Sequence, residues 1–259
     1  HQTSFADIEV EHKNEKGKLW KIAYPTLDKI GEIIIATTRP ETMLGDVAVA
    51  VHPDDERYKK LVGTRILLPI VDKEIPIIAD EYVDMSYGTG AVKITPAHDP
   101  NDFEIAKRHD LPIESIISPE GKMINVPAQF LGLTPVEARA RVLEALEALE
   151  LRRGETEIEH AVGHCYKCGS VIEPMIKEQW FIKTQSLAQP AIDALKKEEI
   201  TFYPASKRKE LIAYLEQLKD WNISRQIPWG IPIPAFVNEN DPKDWIFDTR
   251  TNEQSIVVN

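Results

Sequence analysis

Thr37, Thr38, Arg39 and Thr42 crowd into six residues at the end of a β-branched run, Ile33-Ile34-Ile35. Threonine hydroxyls both donate and accept hydrogen bonds. Arginine presents a planar fork suited to carbonyl or phosphate oxygens. A second group follows the turn Gly88-Thr89-Gly90. Residues 91–95 alternate, so in a strand Lys93 and Thr95 share one face and Val92 and Ile94 the other. Pro96 ends the strand, and His98-Asp99-Pro100-Asn101-Asp102 opens a helix with Asp99 as N-cap and Asp102 in the first turn. A helix N-terminus favours negative charge, so both carboxylates are expected to be ionised. A fixed carboxylate there suits an ammonium ligand through a charge-assisted hydrogen bond. Neither group holds an obvious nucleophile. His98 has no partner in the motif to make it a general base, and it reads as structural. Taken singly, each group also reads as ordinary structure: Arg39 paired with Glu41, Asp99 and Asp102 as helix caps.

The elements that must position these residues are short. Strands are expected over 19–24, 30–36, 47–51, 65–71, 74–79 and 91–95, the fourth and fifth forming a hairpin across Asp72-Lys73. So many short strands with turns between them suggest a barrel or strongly curved sheet. Thr134-Pro135-Val136-Glu137 is a capping box with proline at the first helical position. The helix it opens is expected to bury Val136, Ala140, Leu143 and Leu146 and to stop at Gly154. Ser206 opens another helix, with Leu211, Ile212, Leu215 and Leu218 as its apolar face. Character changes near residue 160, which divides the chain into residues 8–160 and 161–259. The second part begins with His164-Cys165-Tyr166-Lys167-Cys168-Gly169, a small knuckle, and ends in residues 236–259, which match nothing assignable beyond a loop at 238–242 and a strand-like end at Val257-Val258.

Composition bounds the partners. The 259 residues carry a net charge of −11, which argues against a generic nucleic-acid surface, though local basic patches remain available at Lys59-Lys60, Arg152-Arg153 and Lys207-Arg208-Lys209. No apolar run is long enough for a membrane span. The start, His1-Gln2-Thr3-Ser4, has no signal pattern and reads as an excised segment. Two cysteines at this size do not make a disulfide scaffold, so a reducing, cytoplasmic setting is expected.

Read together and in order, the two groups carry a resemblance. The string from Ala36 to Asp46 resembles the threonine-rich peptide of synthetase editing domains. The string from Gly88 to Asp102 resembles that of the valyl-tRNA synthetases in particular, and Trp221-Asn222-Ile223-Ser224-Arg225-Gln226-Ile227-Pro228-Trp229-Gly230 is similar to the segment re-entering their nucleotide-binding domain. The resemblance implies an α+β, β-rich fold: a curved, barrel-like editing domain surrounded by helices, plus a partial flanking region. It implies hydrolysis of threonine from mischarged tRNA(Val), with the rest of the synthetase as partner in cis and no membrane. Asp102 would anchor the α-amino group, and Asp99 would recognise the threonine hydroxyl or shape the helix start. Thr37, Thr38, Arg39 and Thr42 would line the pocket near the ester and terminal adenosine. Lys93 and Thr95 would bind the ester carbonyl or the tRNA 3′ end. Tyr87 stands where the family shows phenylalanine against the adenine. Editing needs no cofactor. ATP serves only the synthetic site, whose His-Ile-Gly-His and Lys-Met-Ser-Lys-Ser type motifs are absent here. Two readings of Cys165 and Cys168 stand side by side: a zinc site with His1 as a further ligand, and a pair of free thiols in a truncated site. The alternatives are a non-catalytic tRNA-binding or zinc-knuckle module, and editing of isoleucyl-type specificity.

Overall fold

The computed structural model describes residues 3–6, 9–28 and 31–247, without the side chains of residues 242 and 243. The chain forms two compact units, Ile8–Glu178 and Gln179–Asn259 with His1–Asp7. The architecture is mixed α and β.

In the first unit β1 (Val10–Pro25) pairs antiparallel with β2 (Glu32–Thr37), which a short 3-10 helix, Pro40–Gly45, follows. Then come β3 (Ala48–Val51), β4 (Arg65–Leu68), β5 (Lys73–Ala79) and β6 (Ala91–Ile94). They build a sheet in the order β4-β5-β3-β6, with β3 parallel to β5 and antiparallel to β6. The hairpin expected from the sequence is β4 and β5, turned through positive φ at Ile70 and Asp72. β3 is buried on both faces, so its alternation vanishes: Val49 and Val51 enter the larger core with Ile22, Ile35 and Met43, while Ala48 and Ala50 enter a smaller one with Ile94 and Ile105. A bridge between Thr26 and Ile66 links the two sheets, and no closed barrel forms among the described residues.

Helix α1 (Pro100–Arg108) follows β6, and α2 (Pro135–Ala148) carries the expected capping box: Thr134 and Glu137 satisfy each other's backbone N–H groups. Two details of α2 depart from the sequence reading. The buried stripe is Ala138, Val142 and Leu146, whereas Val136 and Ala140 are exposed. Arg139 reaches Glu41, which fixes the rotation of the helix. The helix stops at Glu150, in left-handed backbone, where Leu151 N–H closes onto Leu146 O at 2.9 Å; Gly154 lies in the strand beyond. That strand, β7 (Arg152–Cys165), pairs along most of β1 and carries the knuckle at its end, so the compact unit runs on to Glu178.

The second unit holds β8 (Phe181–Ile182), α3 (Thr184–Lys196), α4 (Lys207–Glu216), β9 (Trp221–Asn222) and a hairpin of β10 (Ala235–Asn238) with β11 (Asp241–Phe247). The apolar positions of α4 are only half-buried, and Trp180, Trp245 and Phe247 pack edge to face. The loop read at 238–242 is the hairpin turn; Val257 and Val258 lie outside the described residues. Among the described residues no helix is long and apolar enough to cross a membrane.

Candidate functional site

The two polar groups found in the sequence meet. A Cβ added at Gly88 would stand 3.0 Å from Ala36 Cβ, so the Gly-Thr-Gly turn rests directly on the end of β2. Both glycines need positive φ, and a Cβ at Gly90 would strike the Arg57 guanidinium at 2.3 Å. Tight backbone approach is thus what places the Thr37–Thr42 peptide beside β6.

Lys93 and Thr95 share a face, as the alternation requires, and both are buried. Lys93 Nζ donates to Thr95 Oγ1 at 2.5 Å and lies 3.4 Å from Asp46 Oδ1. Thr95 Oγ1 donates to Asp46 Oδ1 at 2.6 Å, and Tyr24 O–H donates to Asp46 Oδ2 at 2.6 Å. Asp46 is thereby the acceptor for three donors and fully buried. Burial raises its carboxyl, while Lys93 and the hydroxyls pull the other way. Burial, reinforced by Asp46, drives the Tyr24 phenol well above its ordinary range. Sequence reasoning missed both residues. Asp46 closes the threonine-rich string, but Tyr24 sits in a strand whose pattern reads as plain core.

Asp99 caps α1 by accepting from Asn101 N–H at 2.8 Å and Asp102 N–H at 3.3 Å, and is exposed. Asp102 is 7% exposed, and its Oδ2 accepts Thr95 N–H at 2.8 Å. The expectation of a freely ionised carboxylate does not hold for Asp102. Burial pushes Asp102 up to about 7; Lys93 opposes that, and Asp99 adds to it. The cause is desolvation, which outweighs the helix terminus. Tyr82, also missed, is a half-exposed phenol raised by burial and by these same two carboxylates.

Arg39 is engaged on three sides. Nη1 donates to His98 O at 3.2 Å, Nη2 pairs with Glu173, and Nε lies 3.5 Å from Glu41. The pairing with Glu41 that the sequence allowed is therefore present, but Glu41 is held more tightly by Arg139, through two contacts of 2.8 Å. Thr37 Oγ1 accepts from Arg39 N–H at 3.0 Å, and Thr42 Oγ1 donates to Arg39 O at 3.0 Å, which pins the backbone on either side of the arginine. Thr38 is half-buried and Tyr87 is 60% exposed. His98 is structural: its Nε2 accepts Ile116 N–H at 2.9 Å and its Nδ1 meets Pro174 O at 3.2 Å. Burial lowers it to about 4, so it stays neutral.

The knuckle offers less to a metal than its spacing suggests. Cys165 is buried and Cys168 exposed. A hydrogen bond with Ser170 lowers the Cys168 thiol to about 7. His164 Nδ1 is taken by Gly169 O at 2.8 Å, and its Nε2 lies 2.9 Å from Glu15. His1 lies outside the described residues. Among those described, no group of three or more donors converges to hold a metal.

Comparison with known proteins places the chain. A family model described as tRNA synthetases class I (I, L, M and V) matches residues 1–257. The valine–tRNA ligase of Fusobacterium nucleatum is 50% identical over 234 residues, covering 90% of this chain and 26% of that protein. That of Carboxydothermus hydrogenoformans is 51% identical over 235 residues, 91% of this chain and 27% of the relative. The Thermotoga maritima enzyme is 48% identical over the same shares. The chain spans about a quarter of the length of these relatives. A solved LeuRS from Agrobacterium radiobacter, in a ternary complex with tRNA and LeuAMS, overlaps 66% of this chain and 26% of its own at 16% identity and a TM-score of 0.43, too distant to carry an argument.

Proposed function

Because the chain belongs to the class I tRNA synthetases of the isoleucine, leucine, methionine and valine group, we propose that its Ile8–Glu178 unit is an editing pocket that releases threonine from mischarged tRNA(Val). Asp102 carries the reading. It is a buried carboxylate with one oxygen bound to a backbone N–H and no cation hydrogen-bonded to it among the described residues. Such a group is costly unless a positive ligand arrives. The free α-amino group of an aminoacyl ester supplies that charge.

The rest of the pocket serves the ester. Threonine differs from valine by a hydroxyl in place of a methyl, which an apolar synthetic site rejects only weakly. A second site that hydrogen-bonds the hydroxyl reverses the preference, since valine leaves those groups unpaired at about 1–3 kcal/mol each. Asp99 and Thr38, close to the pocket, are the candidates for the hydroxyl. Lys93 and Arg39 offer N–H donors to the carbonyl oxygen, on which charge develops as water attacks. The bond to the ribose oxygen then breaks and threonine leaves. No side chain here forms a covalent intermediate. Positioning of ester and water supplies the rate.

Release of threonine, valine and isoleucine from tRNA, measured side by side, tests this. Fast release of threonine alone is expected. Equal rates, or preference for valine, would exclude threonine editing, and no release of any would leave a non-catalytic tRNA-binding module.

A further inference from the structure

Glu173 lies beyond the knuckle, in a stretch without regular structure, yet it reaches the pocket. Hydrogen bonds trace the path. Cys165 N–H donates to Ser170 O at 2.9 Å and Gly169 N–H to Cys165 O at 2.8 Å, closing the knuckle. Ile172 N–H donates to Gly163 O at 3.0 Å and Val171 bridges to His164, so the strap leaves β7 in fixed register. Glu173 then accepts from Arg39 Nη2, and Pro174 O meets His98 Nδ1 at 3.2 Å. Arg39 follows β2 and His98 follows β6. One short strap therefore touches both halves of the pocket, and Arg39 Nη1 closes the triangle on His98 O at 3.2 Å.

Charge makes the contact specific. Glu41 is committed to Arg139 through two contacts of 2.8 Å, and its 3.5 Å to Arg39 Nε is beyond ordinary hydrogen-bond length. Glu173 is the nearer counter-charge of Arg39. The arginine side chain is 27% exposed, long and rotamer-rich, so it needs such a partner to hold one geometry.

We infer that Glu173 is a positioning residue of the pocket: it holds the Arg39 fork against the His98 carbonyl, so that the strap after the knuckle sets how Arg39 presents its remaining N–H groups to the ester. The inference rests on the editing reading above.

Single-turnover hydrolysis of Thr-tRNA(Val) by this chain at saturating enzyme gives the rate constant, and its concentration dependence gives the half-saturation. Glu173→Gln removes the charge-assisted bond and is expected to slow the rate constant about tenfold, while half-saturation moves less than about twofold. Glu173→Asp keeps the charge and is expected to recover part of the loss, which also covers a Gln variant that folds poorly. In an Arg39→Lys background, where the fork is already gone, Glu173→Gln is expected to change the rate less than about twofold. An unaltered rate in Glu173→Gln, or the full tenfold loss persisting beside Arg39→Lys, overturns the inference while leaving editing intact. Absence of threonine release by the unsubstituted chain overturns both.

Discussion

Thr95 N–H donates to Asp102 Oδ2 at 2.8 Å across the turn from β6 to α1. The bond ties the carboxylate to backbone, so Asp102 cannot turn away without leaving the Thr95 N–H unpaired. A ligand-seeking carboxylate is thereby made part of the fold.

Asp102→Ala is expected to abolish release of threonine from tRNA(Val), while circular dichroism shows the fold retained. Asp102→Asn keeps the acceptor for Thr95 and removes the buried charge. The folded carboxyl titrates near 7, above its unfolded value of 3.8. The folded state then binds more protons between those values, and the stability this gives is present below pH 4 and lost as pH rises through 7. The Asn variant should thus gain about 3–4 kcal/mol over the native chain in urea unfolding at pH 8 and little at pH 4.

His98 gives the opposite slope. Its folded value, about 4, lies below the unfolded 6.5. The unfolded chain binds the extra proton between them, so stability is present above pH 6.5 and falls as pH drops toward 4. Between about 4 and 6.5 the two slopes oppose each other. His98→Gln should leave the Asp102 slope uncovered, with stability decreasing steadily from pH 4 to 7. The same variant should leave the deacylation profile unchanged near pH 4, the folded value of the imidazole, as expected of a residue that is no base.

Lys93 and Asp46 form a buried ion pair at 3.4 Å. Lys93→Ala strands the Asp46 charge in the core and is expected to destabilise the chain by about 3 kcal/mol. Threonine release should fall at low tRNA concentration even at temperatures where the variant stays folded. Unchanged rates there would remove Lys93 from the pocket.

Glu41 is fully buried between Arg39 and Arg139. Glu41→Gln is expected to cost about 2–4 kcal/mol in urea unfolding, because it leaves Arg139 without the carboxylate that holds it, while Arg39 keeps Glu173. Arg139→Ala should cost a similar amount, and the double variant less than the sum.

How much of this was legible varies with how local the signal is. The Lys93 and Thr95 face, the Asp99 cap and the Thr134 box rest on spacings of two or three residues, and the sequence carries them openly. The outer half of β1 was not legible. Residues 11–18 carry no apolar side chain, although they pair with a part of β7 that includes Ile158 and Val162. The β1 side is exposed at almost every position, so it has no apolar alternation to read. Its trace is in charge instead: Lys16 faces Glu159 and Lys18 faces Glu157 across the strands. Glu173 was also out of reach, since its partner Arg39 stands 134 residues earlier. Asp46 was in view, yet nothing short of the assembled core marks it as the acceptor for Tyr24, Lys93 and Thr95.

Gly88 sets a hard stop between the two halves of the pocket, at 3.0 Å from Ala36. A larger residue there would have to adopt left-handed backbone and press on Ala36, which must give by a few tenths of an ångström. A relative that must admit a bulkier amino acid would have to change loop lengths around the turn or trim the side chains lining it. In evolutionary terms, glycine at the seam is held by backbone conformation and contact together, whereas the exposed positions around it carry neither constraint.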